Sequence, residues 1–156
     1  MNPVLDSLYK HRSIRSYKNK PIEEEKLQYI IKAAQAAPNS CNGQQVSIIA
    51  VKDKARKDKC SEWCGNQKWI SECPVFLIFC SDFYRASIAF EKGGNTPESF
   101  QEYVTNLDTL IVGSQDTGIA LAYAVIATES LGLGIVPIGA VRFKSLDLTK
   151  ELNLPK

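Results

Sequence analysis

The chain has 156 residues, of which 44% are hydrophobic and 23% are charged, and its formal net charge at pH 7 is +2. This composition indicates one globular domain that spans residues 1–156 and carries no long disordered arm. The small net charge excludes a protein whose basic surplus binds nucleic acid non-specifically, and the longest apolar stretch, residues 119–127, is shorter than the ~20 residues of a membrane-spanning helix.

The N-terminal part of the chain lacks the apolar core of a signal peptide, so we expect a cytoplasmic protein without a membrane partner. Residues 2–10 predict a short helix with Asn2 as its cap, Pro3 in its first turn and one apolar face made of Val4, Leu5, Leu8 and Tyr9. Pro21 is predicted to open a second helix that ends before Pro38. Its apolar residues recur with helical spacing at Leu27, Ile30, Ile31 and Ala34.

The remaining segments predict an α+β fold. Residues 47–52 and 75–80 have the β-branched and aromatic composition of strands, with a helix over residues 54–63 between them. Further helices are expected from Pro97 to Val112 and, after Gly113, to Leu131. The second of these is apolar almost all round, which indicates burial in a core or against another subunit. A short strand over residues 135–141 and a last helix capped by Ser145 complete a small sheet with helices on both faces.

A basic loop over residues 10–20, KHRSIRSYKNK, holds five cationic side chains and the single histidine. Arg12 and Arg15 flank Ser13, and guanidinium groups together with a hydroxyl and backbone N–H groups can bind one phosphate or a polarised ring edge. A solvated loop balanced by the acidic residues 23–25 explains the same pattern. Binding of RNA or DNA through this loop is a further alternative, which a steep salt dependence of oligonucleotide binding would favour.

Two further segments are rich in small polar residues or in glycine. The segment 36–45, AAPNSCNGQQ, offers uncharged donors and acceptors that suit the rim of a heteroaromatic ring, and a plain capping turn explains it equally well. Residues 129–142, ESLGLGIVPIGAVR, are similar to a glycine-rich nucleotide loop. They follow a helix and lack the third glycine, so the dinucleotide-binding fingerprint is absent.

Five cysteines occur at uneven spacing, at positions 41, 60, 64, 73 and 80. The set predicts neither a disulfide framework nor a paired zinc site. Cys60 and Cys64 lie one helical turn apart and are compatible with a metal ligand pair or with free thiols. We expect free thiols, as in a reducing compartment.

Four segments, HRSIRSYKNKPI, APNSCNGQQ, GNQKWISECPVFLIFCSDFYR and ESLGLGIVPIGAVR, together resemble the flavin-dependent nitroreductase family in order and spacing. The resemblance is greatest to the branch of oxygen-insensitive NADPH nitroreductases and NADPH–flavin oxidoreductases. It implies a nitroreductase-like three-layer α/β/α sandwich, with helices around a small mixed β-sheet. It also implies a homodimer that binds one FMN at each of two subunit interfaces.

The resemblance further implies which residues bind FMN. The basic loop would hold the phosphate and ribityl end through His11, Arg12, Ser13 and Ile14, while Arg15 would face the pyrimidine edge of the ring. Gln67 would reach the ring, and its opposite side would lie along Pro137, Ile138, Gly139 and Ala140. The partner subunit would contribute Pro38, Asn39, Ser40 and Asn42. Neither a metal nor a catalytic side chain is implied.

The implied activity is that of an NAD(P)H-dependent FMN oxidoreductase, in which the flavin passes hydride from NAD(P)H to a nitroaromatic, a quinone or free flavin. Arg15 would stabilise reduced flavin, which is largely anionic at neutral pH, and so raise its potential. A flavin-binding or regulatory protein with little or no turnover is the second hypothesis. Family members normally continue into a further strand, a basic pair at the phosphate and a tail around the partner, so the resemblance implies either a naturally shortened member or a fragment of a longer one.

Overall fold

The computed structural model describes residues 2–154. Within this range, eight helices and two strands follow one another as α1 (Pro3–Tyr9), α2 (Glu24–Gln35), β1 (Val46–Val51), α3 (Lys54–Trp63), α4 (Lys68–Glu72), β2 (Phe76–Ser81), α5 (Tyr84–Lys92), α6 (Pro97–Thr105), α7 (Leu107–Ser130) and α8 (Ser145–Glu151). Two short 3₁₀ segments, Ser40–Asn42 and Gly139–Lys144, lie between these elements.

The two strands form an antiparallel pair in which Val46 lies opposite Ser81 and Val51 opposite Phe76. Because successive strand residues point to opposite faces, the apolar residues of β2 divide between two cores. One face packs against α2 and α7 through Ile48, Leu77, Phe79, Ile30, Ala34 and Ala124. The other face packs against α3, α4 and α8 through Ile49, Phe76, Ile78, Cys60, Cys64, Ile70 and Leu148. The predicted three-layer α+β sandwich is confirmed.

The helices at the start of the chain follow their sequence signals closely. Asn2 caps α1 by accepting a hydrogen bond from the Val4 N–H group at 2.9 Å, as predicted. Helix α2 buries Leu27 and Ile30, each 2% exposed, on the predicted apolar face. It begins at Glu24 and not at Pro21, because the preceding residue, Glu23, still has extended backbone angles.

Helix α7 is one continuous helix of 24 residues, and the predicted break at Gly113 is wrong. The break lies instead at Asn106, whose side chain accepts a hydrogen bond from the Asp108 N–H group at 2.9 Å and caps the helix. Gly113 has a packing role, since a Cβ atom there would lie 2.3 Å from Ser81 Oγ and 2.8 Å from Phe83 Cζ. The helix ends as predicted near Gly132, which has a φ of +71°.

Helix α7 as a whole meets the length and composition criterion for a membrane-spanning helix, with a mean hydropathy of 1.5 over its best window. The apolar stretch of residues 119–127 is by itself too short to span a membrane, but α7 extends beyond it on both sides. In the structure α7 contacts α2 and both strands, and buries Asp116 and Thr128. One side of α7 thus packs on the domain, whereas large apolar side chains elsewhere on it, such as Leu107 and Leu110, are exposed.

Three local predictions were wrong or incomplete. Residues 135–141 do not form a strand: Ile135 makes a single parallel bridge with Ser13, and a 3₁₀ segment follows from Gly139. Pro137 has no N–H group with which to continue a ladder. Ser145 is the first residue of α8 and not its cap. Helix α5, for which no element was predicted, is held to α6 by packing between aromatic rings, with centroids 5.3 Å apart for Phe90 and Phe100.

Candidate functional site

The basic loop is held against the segment that follows α7. Ser13 and Ile135 form a parallel bridge, and the Ile14 N–H group donates to the Ile135 carbonyl at 3.1 Å. The approach is close because residue 134 is glycine: a Cβ atom there would lie 2.9 Å from both γ-carbons of Ile14. Two segments that are 120 residues apart in the sequence therefore form one edge of the site.

The two residues at the start of this loop are oriented by polar contacts. His11 Nδ1 donates to Glu129 Oε1 at 2.6 Å, which ties the loop to the last turn of α7. Arg12 Nη1 donates to the His11 carbonyl at 2.7 Å. Arg12 lines an open groove between α1 and the end of α7, and its side chain is exposed. Its guanidinium group therefore remains free to bind an anion in solution.

Arg15 is held over the indole ring of Trp69, with its Cζ atom 5.8 Å from the ring centroid. This distance is within the range of a cation–π interaction, which restrains a side chain that would otherwise move freely in solvent. The Trp69 Nε1–H group is buried and has no acceptor among residues 2–154. A buried donor without a partner is costly, and such groups often mark a site where a ligand or another part of the protein binds.

Tyr17 stabilises the backbone of the basic loop. Its hydroxyl group donates to the Ile14 carbonyl at 2.9 Å. Burial, followed by the nearby Cys73, raises the pKa of Tyr17 to about 12. The phenol is therefore neutral at pH 7 and remains a hydrogen-bond donor, so it fixes the backbone between the two arginines.

A cavity of about 840 Å³ lies beside this edge. Its lining is mainly apolar and includes Ile14, Tyr17, Trp69, Pro137, Ile138 and Gly139. Four cationic residues, Lys18, Lys20, Lys26 and Arg142, and the acidic Glu23 also line it. Binding sites for small organic ligands typically have this size and this combination of apolar walls and few polar groups. A planar ligand of low polarity with an anionic substituent matches the cavity better than a polyanion does.

Gln67 lies two residues before Trp69, at the start of α4. Its side-chain amide donates to the Cys64 carbonyl at 2.7 Å, and its own carbonyl accepts a hydrogen bond from Ser61 Oγ at 2.8 Å. These contacts fix the turn that positions Trp69. Ala140 was predicted to lie along the ring together with residues 137–139. It packs with Ile138 against the core on the face of the sheet opposite α2.

The amide loop, residues 36–45, is held on α7 by a carboxylate. Asp116 is 4% exposed, and its two oxygens accept hydrogen bonds from the Ser40 N–H group at 3.1 and 3.2 Å. Its Oδ2 atom also accepts from Gln45 Nε2 at 3.3 Å. Pro38, Ser40 and Asn42 are exposed, and none of them lines the 840 Å³ cavity of their own chain.

The structure brings only part of the predicted one-subunit set to the cavity. Ile14 and residues 137–139 line the cavity, and Arg15 lies beside it over Trp69. Arg12 lines the separate groove beside α1, and the amide loop lies elsewhere on the same chain. Three supporting residues were missed in the sequence: Trp69, Glu129 and Asp116. A carboxylate inside the apolar pattern of α7 was the available signal for Asp116, because a buried acid needs specific partners.

Of the five cysteines, Cys73 lines the cavity. All five are free thiols; Cys60, Cys64 and Cys73 are buried in the core beneath β2, and Cys41 is exposed on the amide loop. Burial raises the pKa of Cys60 to about 11. Within residues 2–154, no group of three or more His, Cys, Asp or Glu side chains is arranged to hold a metal ion.

The comparison with known proteins agrees with this geometry. The model of the nitroreductase family matches residues 8–156. The chain is 54% identical to FMN reductase (NAD(P)H) from Bacillus subtilis and 33% identical to the oxygen-insensitive NADPH nitroreductase from Salmonella typhimurium; in both cases the match covers 100% of this chain and 61% of the relative. The solved structure of B. megaterium NfrA2 superposes with a TM-score of 0.95 at 47% identity, over 100% of this chain and 62% of that one.

The chain therefore spans about three fifths of the length of these relatives. The family model nevertheless covers 149 of the 156 residues, from residue 8 to residue 156, and the fold superposes over the whole chain. Both observations lead to the same conclusion: the chain belongs to the nitroreductase family.

Proposed function

We propose that this chain forms the FMN-binding part of an NAD(P)H-dependent oxidoreductase of the nitroreductase type. The observation that carries the proposal is Arg15, held over Trp69 beside an apolar cavity of about 840 Å³ in a chain of this family. FMN, when bound, would supply the chemistry by accepting hydride from NAD(P)H and passing it to a nitroaromatic, a quinone or free flavin.

The residues present fit this cofactor. FMN combines a flat, weakly polar ring system with one phosphate. The site combines a mainly apolar cavity, beside which Arg15 is exposed, with an adjoining groove that shares Ile14 and Gly134 with the cavity and contains the exposed Arg12. The unpartnered N–H group of Trp69 is a further donor for the carbonyl-rich rim of the ring system. A bidentate guanidinium–phosphate contact is among the stronger polar interactions in proteins.

Each element of the site then has a distinct role. Arg12 and Ser13 would bind the phosphate, while the hydrogen bond from His11 to Glu129 keeps their backbone in place. Arg15 would place a fixed positive charge at the ring, which favours the more electron-rich, reduced form. The apolar lining contributed by Ile14, Trp69 and Ile138 would exclude water and strengthen that electrostatic effect.

We also propose that the protein is a cytoplasmic homodimer, in which the amide loop of one subunit completes the site of the other. Helix α7 supports this proposal because several large apolar side chains remain exposed on it, including Leu107, Leu110, Ile111 and Tyr123. Large apolar side chains that stay exposed on a long helix are often covered by an interface between subunits. Pro38, Asn39, Ser40 and Asn42 would then reach the partner's flavin.

The proposal is tested by the colour of the purified protein and its response to reductant. We expect bound FMN to absorb near ~450 nm, to bleach with NADPH or NADH, and to recover when nitrofurazone or a quinone is added. Protein that binds FMN and does not bleach would favour the second hypothesis, a flavin-binding protein without turnover. Protein that gains no flavin absorbance on addition of FMN would contradict both.

A further inference from the structure

The amide loop has a backbone that its own sequence does not favour. Cys41, Asn42 and Gln44 have φ values of 50°, 54° and 49°, in the left-handed region that non-glycine residues seldom adopt. Three such residues within four positions need stabilising contacts to remain in one conformation. These contacts come from within the loop and from one residue of α7.

Asn39 closes the loop internally. Its Oδ1 atom accepts a hydrogen bond from the Gln44 N–H group at 3.0 Å, and its Nδ2 atom donates to the Ala37 carbonyl at 3.5 Å. Both ends of this side-chain amide are therefore engaged within the loop. The side chains of Ser40 and Asn42 are exposed, and Asn42 Oδ1 accepts a hydrogen bond from Gln44 Nε2 at 3.2 Å, which leaves its Nδ2 group available to a ligand.

Asp116 supplies the external support. The carboxylate is 4% exposed and accepts hydrogen bonds from the Ser40 N–H group and from the Gln45 side chain, which is itself 3% exposed. No Lys, Arg or His side chain within residues 2–154 forms an ion pair with it. A buried carboxylate without a cation is expensive, and an apolar residue at this position of the core helix would be the more stabilising choice.

We infer that Asp116 is a positioning residue for the flavin site: it fixes the amide loop in the shape that presents Ser40 and Asn42 to the ligand bound by the partner subunit. This inference rests on the proposed function for the identity of that ligand. The buried carboxylate costs stability, but it also fixes the loop geometry, because its hydrogen-bond partners Ser40 and Gln45 lie on either side of the left-handed residues.

The inference is tested with Asp116→Ala and Asp116→Asn in the dimeric protein, and with Glu62→Gln as a control that removes one exposed negative charge from α3. Removing hydrogen bonds to a charged acceptor should raise the FMN dissociation constant about tenfold to a hundredfold in Asp116→Ala. Asp116→Asn retains one acceptor oxygen, so a smaller increase, roughly threefold to tenfold, is expected. The control should bind FMN as the wild type does.

A second readout needs no flavin. Hydrogen exchange of the Ser40 amide in the apo protein should become faster in both variants, because its acceptor is lost or weakened. Wild-type affinity and wild-type Ser40 protection in the folded Asp116→Asn variant would overturn the inference, whether or not Asp116→Ala folds. A wild-type protein that binds no FMN would instead overturn the proposed function, and Ser40 exchange would still report whether Asp116 holds the loop.

Discussion

Replacement of Gly134 by alanine tests how the basic loop is held. The new Cβ atom would lie 2.9 Å from Cγ1, 2.9 Å from Cγ2 and 3.0 Å from Cβ of Ile14. Carbon atoms in contact prefer separations of about 3.5–4.0 Å, so Ile14 must move by roughly 0.5 Å or more. These atoms belong to a β-branched side chain close to its backbone, and no rotation about χ1 removes both γ-carbons from the contact.

The magnitude follows from two opposing effects. Overpacking of this kind costs about 1–3 kcal/mol, while alanine gains about 0.4–1 kcal/mol over glycine by restricting the unfolded chain. We therefore expect Gly134→Ala to be less stable by roughly 1–2 kcal/mol, which for a chain of this size lowers the Tm by about 3–6 °C. The shift of Ile14 also moves Ser13 and Arg15, so FMN binding should weaken by about tenfold, or about 1.4 kcal/mol.

Thermal unfolding and FMN titration measure the two effects. Gly118→Ala in α7 is the control for thermal unfolding only: a Cβ atom at Gly118 would meet no atom within 4 Å, but Gly118 itself lines the cavity. In that helix position alanine should be neutral or stabilising by up to about 1 kcal/mol. If Gly134→Ala equals or exceeds the stability of the wild type and binds FMN equally well, the loop is not held by its packing on residue 134, and the geometry argued above is wrong.

Three further predictions address charge and ionisation. Arg15→Ala should lower the midpoint potential of bound flavin by roughly 30–60 mV, the equivalent of one charge-assisted contact, and an unchanged potential in a redox titration would place Arg15 away from the ring. Cys41 should react with a thiol reagent at pH 8 well before Cys60, because Cys41 is exposed and burial raises the pKa of Cys60 to about 11. Equal reaction rates would contradict the burial of Cys60 in the core. The pKa of Tyr17 is raised from 10.0 to about 12, so its contribution to stability should be present below pH 10 and lost as the pH rises from 10 to 12. An ultraviolet titration should show one phenol that ionises late in the wild type and is missing in Tyr17→Phe. If the late-ionising phenol is still present in Tyr17→Phe, the prediction is wrong.

Much of the fold could be predicted because local signals agreed with the final packing. Helix α3 begins and ends at the predicted residues, Lys54 and Trp63. Asp53 caps it by accepting a hydrogen bond from the Arg56 N–H group at 2.9 Å. The all-apolar composition of β2 correctly indicated a sheet covered on both faces. Helix α5 gave no comparable signal: it has no side-chain cap, and the rings that hold it to α6 meet only in the folded chain.

The site was predictable to the extent that its chemistry lies in contiguous segments. The arginines of residues 11–15 and Gln67 could be proposed as site residues from sequence motifs, whereas the residues that hold them in place could not. Trp69 reaches Arg15 across 54 positions of sequence, and Asp116 reaches Ser40 across 76. Such pairs are formed by tertiary packing, which no local pattern encodes.

The binding of FMN by the basic loop is the central claim, and a crystal structure of the FMN complex tests it most directly. The account predicts the flavin phosphate within hydrogen-bond distance of the Arg12 side chain or the Ser13 N–H group, the ring in the cavity beside Trp69 with its pyrimidine edge at Arg15, and Ser40 of the partner subunit at the same ring. A flavin bound elsewhere, with both arginines extended into solvent and the cavity without ligand, would contradict it.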